Sequence, residues 1–394
     1  MTPAARLQAA IELVDEVVAA AREAGPAADT LIARYFKSRR YAGSKDRRAV
    51  RELVYRAIRR AGEPPESGRA ALVGLAHDDP ALLPLFDGSA HGPTSVQADE
   101  PVAPASIIPH WLEGRFDPLV SVDERPALLQ RAPLDVRVNA LKGDRADALR
   151  ALPEAVPTPL SPIGLRLPEG FPVEDSRAWA SGLVEVQDEG SQLLARVAGA
   201  APGMTAVDLC AGAGGKTLAL AADMKDEGRI FACDTDRGRL SHMPPRLMRA
   251  GVRIVSERLL DPGKEAAALA DLKGEADLVL VDAPCSGTGT WRRNPETRWR
   301  LTPQRLDRLV ALQARLLDVA LELVRPGGHL TYAVCSLLTE EGRAQAESFG
   351  ERHSGLVPDM GPIDCGRPSG PGRLLSPGHD GTDGFFVARW RVAC

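Results

Sequence analysis

VDLCAGAGGKT, residues 207–217, is the stretch whose reading decides the fold. Residues 204–210 (MTAVDLC) read as a short buried strand, Gly212, Gly214 and Gly215 turn the chain, and KTLALAADM (216–224) begins a helix. Glycines at such a turn let a ligand approach the backbone closely, and the N–H groups at the helix start can hold a polar or anionic group. Three ligand classes compete for it. A nucleoside-triphosphate loop needs glycine five residues before Gly215, and Cys210 stands there. A dinucleotide loop needs glycine three residues after Gly214, and Thr217 stands there. An S-adenosylmethionine turn fits, followed by a second strand RIFACD (229–234). Its Asp234 lies 19 residues past Gly215, about where an acid would hold ribose hydroxyls in the analogous dinucleotide fold.

Downstream, ADLVLVD (276–282) is a continuous apolar run, typical of a strand covered on both faces of a parallel sheet. It leads into Asp282, Ala283, Pro284 and Cys285, and Pro284, with no N–H to give the ladder, ends the strand. GGHLTYAVC (327–335) reads as another buried strand, again ending on a cysteine. In a parallel sheet these carboxyl ends share an edge with the glycine turn, where ligands bind in open α/β sheets. A strand-end cysteine is ordinarily a small buried hydrophobe. Two of them beside a cofactor turn, Cys285 and Cys335, point instead to thiol chemistry on an electrophilic ring. Cysteine suits that task because it is a few per cent thiolate at pH 7 and intrinsically nucleophilic.

Taken together, CAGAGGKT, DAPCSGTGTWRRNP (282–295), YAVCSL (332–337) and the terminal DGFFVARW (383–390) resemble the Sun/Fmu family of RNA cytosine-5 methyltransferases, in layout the bacterial RsmB type that methylates 16S ribosomal RNA. The likeness covers roughly residues 130–394, and more loosely the N-terminal segment, which resembles the NusB-like helical domain of that type. It implies methyl transfer from S-adenosylmethionine to carbon 5 of a cytosine in RNA, through a covalent cysteine–cytosine intermediate. It implies cofactor contacts at Cys210, Ala211, Gly212, Ala213, Gly214, Gly215, Lys216, Asp234, Asp261 and Asp282. Cys335 would attack the ring and Cys285 would help release the product, with Asp282 the candidate acid near ring N3. The reverse order of the two thiols stays open, because DNA cytosine methyltransferases attack with their Pro-Cys cysteine. Two positions depart from the family pattern: Val334 stands where threonine is usual, and Gly342 where asparagine is common. A tRNA, or another rRNA site, is the alternative substrate. The reading from a different class is an RNA-binding assembly factor with an inert catalytic domain, against which the intact cysteine pair and cofactor turn argue.

The chain carries 49 Lys and Arg against 53 Asp and Glu, a net charge of −4, and so lacks the overall basicity common in nucleic-acid enzymes. The distribution says more. Residues 34–60 hold a net charge of +9 interleaved with Tyr35, Phe36, Tyr41 and Tyr55, which fits either a solvated helix face or RNA phosphate binding. A second basic stretch, WRRNPETRWR (291–300), directly follows Cys285 and is expected to touch RNA. Arg137, Asn139 and Lys142 in RVNALK resemble a further RNA-facing motif of the family. The six cysteines form no CxxC and no Cys/His cluster at zinc spacing, so no metal is expected. Reduced cysteines without a signal peptide suit the cytoplasm, no apolar run suits a membrane span, and the chain is expected to be a monomer.

Composition shifts divide the chain. Residues 1–130 read as a helical, NusB-like RNA-binding domain with a Pro/Gly-rich linker at 76–108, and residues 131–180 as a small α+β subdomain. Residues 181–394 read as the S-adenosylmethionine-dependent methyltransferase domain. The expected fold class is therefore α/β, a Rossmann-like, mainly parallel doubly wound sheet with FFVARWRV (385–392) added as an antiparallel last strand.

Overall fold

Apolar residues at helical spacing in the first turns of the chain fold as α1 (Pro3–Arg22), which buries Leu7, Leu13, Val14 and Val17 along one stripe. Thr2 caps it, its hydroxyl accepting from the Ala5 N–H at 3.1 Å. The computed structural model describes residues 1–23, 25–361 and 365–394. Helices α2 (Ala28–Ser38), α3 (Ser44–Arg60) and α4 (Gly68–Asp78) pack with α1 in a first compact unit, which comprises residues 1–116, 125–130 and 290–305.

That last segment is drawn from far along the chain, and it completes the helix ends. Every helix leaves unpaired N–H groups at its start and unpaired carbonyls at its end. The Ala27 cap of α2 has no side chain to offer, and the Glu296 carboxylate instead accepts from Ala28 N at 3.2 Å. Beyond the end of α3, Arg298 donates to Ile58 O at 2.6 Å and Ala61 O at 3.2 Å, and Trp299 Nε1 donates to Ala61 O at 2.8 Å. Arg300 donates to Gly25 O at 2.6 Å, just past α1. Trp299 also joins the apolar cluster of the four helices. The expectation that WRRNPETRWR faces RNA is corrected for Trp291, Arg298 and Trp299, which are buried. Burial pulls the Arg298 guanidinium down to about 9, still charged at neutral pH. On α3, Arg51, Arg56 and Arg60 are paired with Asp29, Asp79 and Asp78, so part of the basic face is neutralised within the unit.

The second unit comprises residues 117–124, 131–289 and 306–394. Its smaller sheet holds β1 (Leu134–Val138), β2 (Val156–Pro157), β3 (Gly164–Leu167) and β4 (Val184–Val186) in the antiparallel order β2-β3-β1-β4. The larger sheet is built from β5 (Thr205–Asp208), β6 (Arg229–Asp234), β7 (Val255–Leu259), β8 (Ala276–Asp282) and β9 (Val324–Val334), then β10 (Leu356–Pro358), β11 (Arg367–Ser369), β12 (Gly372–Leu375) and β13 (Phe385–Val392). Its order is β11-β12-β13-β9-β8-β5-β6-β7, with β10 on β13. The five strands from β7 to β9 are parallel and β13 is antiparallel to β9, as the sequence suggests. Leu278, Val279, Leu280 and Val281 are all buried, because β8 is covered on both faces. Strand order reverses between β5 and β8, and a crevice opens outside the carboxyl ends at such a switch point.

Arg298→Met keeps length and apolar stem but removes every donor, leaving helix-end carbonyls bare. The helical unit should lose about 3 kcal/mol of stability, the scale of losing charged hydrogen bonds to buried acceptors. Amide hydrogen exchange should accelerate in the last turn of α3 and leave β5 and β8 unchanged. Wild-type protection in α3 would show that the 290–305 segment lies passively on the helices.

Candidate active site

The glycine turn leaves β5 at Asp208 and is pinned to both neighbouring strands, Leu209 N donating to Leu280 O and Ala211 N to Cys233 O, each at 2.9 Å. Gly212 (φ +55°) and Gly214 (φ +84°) are left-handed, and a Cβ at Gly214 would sit 2.7 Å from Met243 Cγ. Only glycine serves there. The helix Gly215–Asp223 then starts with its first N–H groups at the carboxyl edge. Asp234, at the end of β6, accepts from Gly212 N at 2.7 Å and from Asp236 N at 2.8 Å. The acid expected to hold a ligand therefore also holds the turn. Asp261 lies exposed just past β7, and Cys210 lies in the turn with its thiol raised well above the usual range by burial.

Two carboxylates stand on either side of the switch point. Asp208 is fully buried, and burial raises its carboxyl to about 7 even though the Thr217 hydroxyl donates to it at 2.7 Å. Asp282, at the end of β8, pairs with the Lys216 ammonium at 2.6 Å. Burial pulls Lys216 down, but the charge and hydrogen bond of Asp282 outweigh it, and the nearby Cys335 adds to the upward shift. A lysine placed by the sequence in the cofactor turn thus lies within electrostatic reach of Cys335. The Phe385 ring lies 6.0 Å from its nitrogen.

The two cysteines meet. Cys285 Sγ and Cys335 Sγ are 3.4 Å apart, although 50 residues separate them in sequence. The hydrogen bond to Cys335 raises the Cys285 thiol well above its usual range, and burial pushes it further. The strand ends are tied by Gly289 N donating to Cys335 O at 3.1 Å and Leu337 N to Thr288 Oγ1 at 2.8 Å. Gly384 N donates to Gly289 O at 2.8 Å, which fastens DGFF to the Cys285 loop. The departures from the family pattern are accommodated locally. Val334 is buried opposite Phe386, and a Cβ at Gly342 would meet the Phe386 ring at 3.0 Å, so that ring occupies the space a larger residue would take.

Arg137 and Asn139 do not face outward. Arg137 Nε donates to Gln187 at 2.6 Å, and Asn139 Nδ2 bridges Gly182 O and Ala250 O at 3.0 Å each, which makes them buried structural groups. Lys142 alone of the three is exposed. Among the described residues no group of three or more His, Cys, Asp and Glu could hold a metal ion, and no helix is long and apolar enough to cross a membrane.

Residues 198–391 match the family described as the 16S rRNA methyltransferase RsmB/F. They form an RsmB/F methyltransferase domain. The RsmB/F match takes in the glycine turn, both cysteines and β13. Ribosomal RNA small subunit methyltransferase B of Salmonella arizonae is 35% identical over 264 residues, 66% of this chain and 60% of that protein. The chain thus spans 60% of the length of the curated relatives it matches. Among solved structures, PH0851 superposes with a TM-score of 0.76 at 25% identity, covering 99% of each chain. A methyltransferase homologue from Pyrococcus horikoshii gives a TM-score of 0.62 at 28% identity, covering 71% of this chain and 92% of its own.

Asp208 holds its proton more tightly folded (about 7) than an ordinary aspartate does unfolded (3.8), so its contribution to stability falls as pH rises through that window. Asp208→Asn removes the titration. The stability of the wild type relative to the variant should decline between pH 4 and 7 and then level off. Denaturant unfolding of both proteins across that range checks it, and a flat difference would show an ordinary carboxyl.

Proposed function

We propose that this protein transfers a methyl group from S-adenosylmethionine to carbon 5 of a cytosine in RNA, 16S ribosomal RNA in particular, through a covalent cysteine–cytosine adduct. The observation that carries the reading is the thiol pair at 3.4 Å on the sheet edge shared with the glycine turn. The choice of ribosomal RNA is supported by the RsmB/F match and by the names of relatives at 35% identity.

The residues fit the cofactor. Left-handed Gly212 and Gly214 open the backbone at a helix start, and Asp234, Asp261 and Asp282 follow the ends of neighbouring strands. Carboxylates at one edge suit a cationic ligand. Cys210 to Lys216 would hold it from the turn, with Asp234 placed for ribose hydroxyls. When bound, the cofactor supplies an electrophilic methyl group on a sulfonium sulfur.

The protein must supply the rest, because carbon 5 of cytosine is too weak a nucleophile for that methyl group. The Cys335 thiolate adds to carbon 6, forming a carbon–sulfur bond and pushing electrons toward carbon 5 and ring N3. The Cys285 sulfur lies 3.4 Å from the sulfur that attacks, Lys216 feels its charge, and Asp282 would serve ring N3, where charge develops. After methylation carbon 5 carries both its original proton and the new methyl group. Loss of that proton to Cys285, directly or through a water, lets the carbon–sulfur bond break and returns Cys335 as thiolate. Cys285 rests as a protonated thiol, so for that step it first gives up its own proton to water, and its thiolate then takes the proton from carbon 5.

The steps separate by variant. Cys335→Ser should abolish both methyl transfer and covalent capture of RNA bearing 5-fluorocytosine. Cys285→Ser should attack and methylate but stall, leaving an adduct with natural RNA that survives denaturing electrophoresis. Normal turnover by Cys285→Ser would sink the two-thiol mechanism, and capture by Cys335→Ser would exchange the roles.

Asp234→Ala should weaken S-adenosylmethionine binding by about 1.5–3 kcal/mol, the range for a hydrogen bond to a charged group. Titration calorimetry reads it directly. Unchanged affinity would leave Asp234 as a brace for Gly212 only.

A further inference from the structure

The thiols sit on loops that have already left the sheet, so the β8–β9 ladder does not fix their spacing. Besides the Thr288–Leu337 and Gly289–Cys335 hydrogen bonds, a buried carboxylate spans the gap. Glu341 is fully buried, and its carboxylate reaches the residue next to each cysteine. Oε1 accepts from Ser286 N at 2.8 Å and from Gln313 Nε2 at 3.0 Å. Oε2 accepts from Ser336 Oγ at 2.6 Å and from Ser286 Oγ. Ser286 follows Cys285 and Ser336 follows Cys335. Gln313 also donates to Pro284 O at 2.9 Å, so the Pro-Cys turn is held from both sides. The carboxylate itself is anchored, since its own backbone carbonyl accepts from Tyr332 Oη at 2.6 Å on β9.

We propose that Glu341 is a positioning residue that sets the separation of the Cys285 and Cys335 sulfurs. The inference rests on the two-thiol reading above, and it assigns to one acid a task that neither thiol loop performs alone. A carboxylate suits that place because all four neighbouring groups can donate and it accepts from each. A glutamine at 341 would turn an NH₂ toward donors, breaking at least one link. The packing volume would stay nearly the same, so loss of spacing separates from loss of fold.

A trivalent phenylarsenical tests the spacing without RNA. Phenylarsine oxide exchanges its oxygen for two sulfurs, forming two arsenic–sulfur bonds and releasing one water, with no change of oxidation state. The wild-type protein should bind one equivalent, and Cys285→Ser should bind it far more weakly. Glu341→Gln should weaken arsenical binding by about tenfold or more, the equivalent of one charged hydrogen bond, while S-adenosylmethionine affinity stays within about twofold. Should Glu341→Gln lose cofactor binding and fold, Ser286→Ala/Ser336→Ala decides, since it removes two of the links and leaves the acid. Wild-type arsenical affinity in the decisive variant overturns the proposal, as does failure of the wild-type protein to bind. Loss of arsenical affinity supports it even if no methylated RNA is found, in which case the fault lies with the proposed reaction.

Discussion

Everything at the proposed catalytic edge depends on β8 being hydrogen-bonded in parallel to both β5 and β9. Parallel pairing forces three carboxyl ends to one side of the sheet, and the reversal of strand order between β5 and β8 keeps the crevice above them open. Asp208 with the glycine turn, Asp282 with Cys285, and Cys335 thus arrive from three distant parts of the sequence by one geometric rule. The antiparallel addition of β13 then brings DGFF onto the same edge, where Gly384 binds Gly289 and Phe385 faces Lys216.

Charge at that edge is managed by pairing. A buried ammonium or carboxylate is costly unless it meets an opposite charge or enough hydrogen bonds. Lys216 meets Asp282, Glu341 meets four donors, and Asp208, where burial outweighs the Thr217 hydroxyl and the Lys216 charge, is raised toward neutrality instead. Three acids in this unit are therefore accommodated in three ways, by an ion pair, by hydrogen bonds and by a raised pKa. That differentiation is what a reaction needs when it places a thiolate, a proton acceptor and a cationic methyl donor close together.

The strands were legible in the sequence because buried parallel strands are continuous apolar runs. ADLVLVD matches β8 residue for residue, and RIFACD matches β6. The glycine turn was legible because left-handed backbone restricts the residue type. The segment around Trp291 to Arg300 was not, since four arginines in ten residues read as surface, and only helix-end carbonyls donated by another part of the chain make Arg298 a buried group. Arg137 and Asn139 misled in the same way, being polar residues whose partners are backbone carbonyls and a distant glutamine. Glu341 was invisible for a related reason. It stands beside Glu340, and nothing in TEEGR tells which of the two acids will turn inward until Ser286 and Gln313 are in place.

The capping of the helical unit by residues 290–305 has a consequence for how the protein is made. A ribosome that has finished the four helices and their linker must still add 117–289 before Glu296, Arg298 and Trp299 exist. At bacterial elongation rates of about 5–20 residues per second, that is a wait of roughly 10–35 s with helix ends uncapped. The amino-terminal unit is thus first in sequence yet stays incomplete until residue 305 has been added. It closes only after the thiol loop that carries Cys285 has emerged, which ties the maturation of the two units to a single stretch of nascent chain.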